Sequence, residues 1–342
     1  MKSTRHEQHG RMLLLYASML LALSTTVQAQ NYTYTTNFPD TNTVTITGYV
    51  GPGGDIEIPG SIGGKTVVSI GPMAFYQEYA LTSVSIPYTV TSIAAQAFAE
   101  SYKITNMIIG AGVISIGNWA FSGCSGLTLI DIPSSVTSIG DRVFYNCGGL
   151  TNIIFPNSVT HLGVEMFHYC FALRSAVVGN GVTDISDGLF EFCWGTLQRV
   201  TIGCNVTNVG PSAFRGDSDL SGVYFIGNAP GVHASAFTNA PNVVVYYLPG
   251  ATGWEDTFGG RPTALWLPIA GSDDSLGIQN ELFGFNVNWA AGQSVVVEAC
   301  TDMNAPVWIP VKTNLLTNGT SYFVDAAWSN HFCRYYRTVP AP

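Results

Sequence analysis

The chain has 342 residues, with 22 Asp and Glu against 13 Lys and Arg, a net charge of -9. So acidic a chain offers no basic surface to a nucleic-acid backbone or an anionic bilayer, and neither is expected as a partner. Only 10% of the residues are charged while 37 are Gly, which suits a β-rich extracellular protein with an uncharged polar surface.

Residues 1–29 read as a secretory signal peptide. Lys2, Arg5 and Arg11 precede an apolar run at 12–23, and Val27-Gln28-Ala29 ends the segment with small residues at the two positions that a signal peptidase reads. Cleavage is expected after Ala29, leaving 10 basic against 21 acidic side chains. No Cys follows the cleavage point, so no lipoprotein anchor is expected. The apolar run is too short to span a bilayer, and no later stretch approaches about 18 uninterrupted apolar residues, so no membrane insertion is expected.

Residues 30–66 alternate apolar residues with Thr and turn at Gly51-Pro52-Gly53-Gly54, which predicts an N-terminal β cap. Residues 67–226 then repeat with a period of 23, most plainly at 113–135, 136–158 and 159–181. Self-similarity at this period is the mark of a solenoid. Each of seven copies opens on an inward pair such as Val136 and Ile139 and next carries a Phe: Phe75, Phe98, Phe121, Phe144, Phe167, Phe190 or Phe214. The segment around that Phe is short enough for one helical turn. A Leu or Ile follows, then a second strand with an inward pair such as Ile153 and Phe155, closed by Pro or Gly. One coil cannot bury its own apolar face, so stacking is required.

The block VTSIGDRVFYNCGGLTNIIFPNS resembles the BspA-type, or Treponema-type, leucine-rich repeat of bacterial surface and secreted proteins. Seven copies stay in phase over roughly half the chain. Glu78, Ser101 and Asp217 stand where the other copies have Cys, and Gly110, Gly179 and Gly203 where others have Pro. The resemblance implies a leucine-rich-repeat solenoid of parallel β ribbons and short helical turns, a β-rich α/β architecture, with a role in non-enzymatic recognition or adhesion.

Residues 227–268 are expected to cap the solenoid, with Trp254, Phe258 and Trp266 closing its open end rather than forming a carbohydrate platform. Residues 269–280 are polar and read as a linker. Residues 281–342 hold five or six alternating segments and predict a small all-β sandwich. It is similar to a C-terminal module of secreted proteins from Verrucomicrobia-like bacteria. Cys300 and Cys333 fall in two of its strands and are the candidate disulfide of this small domain.

Cys124, Cys147, Cys170 and Cys193 recur once per repeat. Equivalent positions in stacked coils lie roughly 4.8 Å apart with parallel side chains, which favours a ladder of buried free thiols over disulfides. A spacing of 23 does not match metal-ligand pairs. The chain contains no HExxH, GxSxG, P-loop or dinucleotide-binding motif; no catalytic residue, cofactor or metal is expected. His161 and His168 are expected on the surface of one repeat. Arg215-Gly216-Asp217 could act as an adhesion tripeptide only on an exposed tip.

The second strands leave two solvent-facing columns. One includes Asn106, Leu129, Asn152, Ser175 and Arg199; the other runs Ser85, Ile108, Asp131, Ile154, Val177, Thr201 and Tyr224. The second is rich in apolar residues. It is either plain β-propensity or a binding strip for an unidentified extracellular protein or glycan. The function expected is a secreted or cell-surface binding protein. A self-associating structural component of matrix or envelope is the alternative, and a carbohydrate-active accessory protein ranks last.

Overall fold

The computed structural model describes residues 31–270, 276–279, 282–301, 307–331 and 334–341. The segment read as a signal peptide lies outside them. The chain divides into two compact units. The first runs to Val223 and takes in Pro230–Val244 and Thr257–Arg261; the second holds Tyr224–Ala229, Val245–Asp256 and Pro262–Pro342.

The first unit is a β-solenoid, and its register follows from its period. Ser92–Ile93 pairs in parallel with Ser115–Ile116, that with Ser138–Ile139, and that with His161–Leu162. A second ladder joins Leu81–Ser85, Asn106–Ile108 and Leu129–Ile130. It is interrupted there, and a new sheet takes up Asn152–Ile154, Ser175–Val177 and Arg199–Ile202. Each pairing aligns a residue with its equivalent one coil on, so each inward strand side chain meets its counterpart in the next coil. At the start of the unit, Tyr32–Thr36 lies antiparallel on Thr43–Tyr49, which pairs in parallel with Lys65–Ile70.

The core is an aromatic column. From Phe75 through Phe98, Phe121, Phe144, Phe167, Phe190 and Phe214 to Phe237, successive rings are 4.7–5.8 Å apart and tilted by only 4–18°. All eight are buried. Tyr49 stacks on Phe75 at 5.5 Å, and Phe258 closes the other end edge-on to Phe237 at 6.3 Å. The seven predicted rings therefore line up, and Phe237, beyond the seven copies, adds an eighth.

The segment expected to form a helical turn does not. Ala120, Ser122 and Cys124 donate backbone N–H groups three residues back, to Gly117, Trp119 and Phe121. Trp119, Phe121 and Gly123 instead donate to Asp141, Val143 and Tyr145 of the next coil. Past its first turn, an α-helix would bond each N–H to a carbonyl four residues back in the same segment. Here alternate groups are committed to the neighbour, so the backbone zigzags through left-handed positions such as Trp119 (φ 60°), Gly123 (φ 73°), Arg142 (φ 52°) and Asn146 (φ 57°). The Gly that ends the first strand has a related cause. A Cβ on Gly163 would lie 2.3 Å from the backbone of Gly140 and Asp141.

The second unit contains two antiparallel sheets. Leu282–Asn288 pairs with Thr320–Asp325, and Gln293–Cys300 pairs with Ile309–Leu316 and Tyr335–Pro340. Phe285, Val287 and Phe323 from one sheet and Val295, Val297 and Leu316 from the other share one core, as a sandwich requires. The stretch expected to be a linker contributes two strands, because Ile269–Ala270 and Gly277–Gln279 both pair with Leu282–Asn288. Trp266, expected as an end plug of the solenoid, belongs to this core with Leu248. Its carbonyl accepts the Trp289 indole N–H at 2.7 Å. Cys300 is buried; Cys333, its expected partner, lies outside the described residues.

Candidate functional site

The second strands are short, with alternating burial, which sends Met107, Ile130 and Ile153 inward and their neighbours out. Ile108, Leu129 and Ile154 are 54%, 62% and 63% exposed, and Asn106, Asp131, Asn152 and Arg199 are also exposed. Ile108, Leu129 and Asp131 come together with Thr105, Asn106 and Thr128 around a groove of about 570 Å³. The groove lies over Asn106–Ile108 and Leu129–Ile130, the last two strands of the second ladder before its interruption. The other outward column is tied by side-chain hydrogen bonds: Asn106 donates to Ser83 at 3.0 Å and Ser175 to Asn152 at 2.7 Å. Val177 and Thr201 are half-buried. Tyr224 belongs to the second unit. It stacks on Tyr246 at 4.7 Å, meets Trp266 edge-on at 4.9 Å and packs against the core of the second unit.

The turn edge of the coils carries a second surface, missed when residues were read for strand alternation. Tyr169 and Phe192, equivalent in adjacent coils, stack at 6.3 Å and 13°. Phe171 and Trp194, also equivalent, lie 6.4 Å apart at 31°. Phe192 meets Trp194 at 5.2 Å and Tyr169 meets Phe171 at 5.8 Å, so the four rings tile. The signal was present as a column, two and four residues after the repeat Phe.

Ion pairs frame the tile. Arg142 holds Glu165 through two bonds, of 2.9 and 2.8 Å, and its guanidinium lies 4.9 Å from the Trp119 ring. Arg215 binds Glu191 at 3.2 Å and covers the Phe192 ring at 5.3 Å. His168 lies beneath, half-buried rather than on the surface, 3.7 Å from Glu191 and 4.0 Å from Glu165. Burial holds its imidazole below its usual range although both carboxylates pull the other way. His161 is exposed, in the strand His161–Leu162.

The repeated cysteines are buried free thiols, as expected, and they do more than fill space. Cys124, Cys147, Cys170 and Cys193 each donate to the carbonyl of a Phe one coil back, at 3.1–3.3 Å. Ser101 makes the same bond to Phe75 at 2.8 Å. Asp217 stands at this position in its coil and is 1% exposed, its carboxylate accepting the Cys193 N–H at 2.9 Å. Arg215-Gly216-Asp217 is therefore a structural turn, not an exposed tip. Among the described residues no group of three or more His, Cys, Asp or Glu is placed to hold a metal ion. No helix among them is long and apolar enough to cross a membrane.

The family model of the BspA type leucine-rich repeat region matches six copies, over residues 68–196 and 137–251. No curated protein matches. Among solved structures, the leucine-rich repeat protein of T. pallidum is 34% identical, over 56% of this chain and 89% of that one, with a TM-score of 0.53. A leucine-rich cell surface protein of Faecalibacterium prausnitzii is 28% identical, over 65% of this chain and 70% of that one, with a TM-score of 0.53. Period, aromatic column and family model agree, and the chain belongs to the BspA-type leucine-rich repeat family.

Proposed function

We propose that this protein is a non-enzymatic binding protein of the bacterial surface or extracellular space, and that its repeat array contacts an extracellular protein or glycan through the strip of second strands. The observation that supports this reading is the groove at Ile108, Leu129 and Asp131, which takes in exposed Ile108 of the strip and exposed Leu129 of the neighbouring column. Contiguous exposed apolar surface with a polar rim is characteristic of interaction sites. Its aliphatic character favours a protein partner. The leucine-rich cell surface protein of F. prausnitzii, 28% identical to this chain, supports a place at the surface.

The test is an array of extracellular-matrix proteins and glycans probed with the full chain. Ile108→Lys combined with Ile154→Lys should weaken capture about tenfold, as expected for interface anchors. Their exposure predicts an unchanged melting temperature. A strip variant that binds every captured partner as well as the parent would rule the strip out.

A further inference from the structure

We infer that the aromatic tile on the turn edge is a second binding site, separate from the strip, and that its ligand is an uncharged polysaccharide.

The first argument is conformational. Each of these coils passes through two left-handed backbone positions, which Gly fills without steric cost. Gly123, Gly188 and Gly216 do so. Trp119 (φ 60°), Tyr169 (φ 66°) and Phe192 (φ 58°) occupy equivalent positions with bulky rings. The conformation itself belongs to every coil, and Met73, Gln96, Arg142 and Asn146 adopt it too, so what distinguishes these coils is the large aromatic side chain placed there rather than the backbone. Their rings add nothing to the Phe column, since all three lie outside it and are only half-buried.

The second argument is composition. Between residues 119 and 215, the large apolar side chains exposed on the turn edge are Phe171 at 45% and Trp194 at 52%. The exposed aliphatics Leu129 and Ile154 belong to the second strands instead. Flat rings without aliphatic neighbours suit the C–H faces of pyranose rings. Two such rings in equivalent positions of adjacent coils, 6.4 Å apart and only 31° from parallel, offer successive platforms along a linear chain.

The third argument is charge. Glu165 is held by Arg142 and Glu191 by Arg215, so the carboxylates beside the rings carry their counter-charges with them. No net charge is left in this frame to attract an ionic ligand, and the chain as a whole repels polyanions. The paired guanidinium and carboxylate groups remain able to bond neutral hydroxyls.

The experiment is native affinity electrophoresis of the full chain in gels containing galactomannan, xyloglucan or mixed-linkage β-glucan, with alginate as the polyanion. At least one neutral polysaccharide should retard the protein and alginate should not. Phe171→Ala and Trp194→Ala, on different coils and outside the core, should each weaken that retardation about fivefold. Both should keep the parent melting temperature, and Ile108→Lys should keep the retardation. The inference is overturned if all three neutral gels leave migration unchanged, or if alginate alone retards the protein. It is equally overturned if neither ring variant alters retardation, or if the ring variants lose a protein partner and no polysaccharide. Failure of the strip would be seen separately, as Ile108→Lys remaining inert towards every partner.

Discussion

Asp217 illustrates how one residue departs from its own repeat. Where its neighbours place a thiol, it places a carboxyl, and burial pushes that group well above the usual carboxylate range. The Cys193 N–H opposes the shift and Glu191 adds to it. The folded chain thus keeps this proton to a higher pH than the unfolded chain. Its contribution is complete below the ordinary carboxylate pKa of about 3.9 and is lost as pH rises above it. Asp217→Asn retains an oxygen for the Cys193 N–H and removes the titration. Thermal melts should show little change at pH 4 and a higher melting temperature than the parent at pH 8. The thiols obey the same physics. Burial pushes Cys124 and Cys170 up to about 12 and Cys147 and Cys193 well above their usual value. Only the thiolate is nucleophilic. Iodoacetamide applied to the native protein at pH 8 should modify exposed Cys204 and leave these four unmodified until denaturant is added, as peptide mass spectrometry would show.

Each coil is held by a ring it shares with two neighbours. Phe144 is fully buried, 5.8 Å from Phe121 and 5.6 Å from Phe167. Phe144→Ala should cost about 3–5 kcal/mol, since it empties a closely packed site and loosens two interfaces at once. Urea unfolding would measure it, and a loss under about 1 kcal/mol would mean that the column is not what binds the coils. The turn segments add the directional part. Their alternating bonds tie each coil to the next without a helix, and threonine hydroxyls such as Thr137 and Thr160 donate to carbonyls one coil back at 3.3 and 3.2 Å. The sequence signal for a helical turn was compactness alone. Compactness does not reveal where the N–H groups go, and the neighbouring coil takes half of them.

On the scale of the molecule, the second unit draws its core from separate stretches of the chain. Leu248 and Trp266 enter the core formed by Phe285, Val287 and Val295. Trp266→Ala should destabilise the second unit by about 3–5 kcal/mol, the range for a buried aromatic, and near-ultraviolet circular dichroism during denaturation would report it. The solenoid, its phase, its aromatic column and its thiol ladder were legible in the sequence. A 23-residue repeat forces equivalent side chains into register, so alignment of the copies is already a contact map. The exposure of Ile108, Leu129 and Ile154 followed from strand alternation in the same way. What the tertiary structure alone decided lies between non-equivalent residues: the groove over the last two strands before the ladder interruption, the cover over Tyr224, the strands at either end of the supposed linker, the burial of Asp217, and the contacts of Tyr169 with Phe171 and of Phe192 with Trp194 that turn two aromatic columns into a tile. These depend on which side chains meet across coils and turns, and on backbone donors spent between coils, which a period within one chain does not encode.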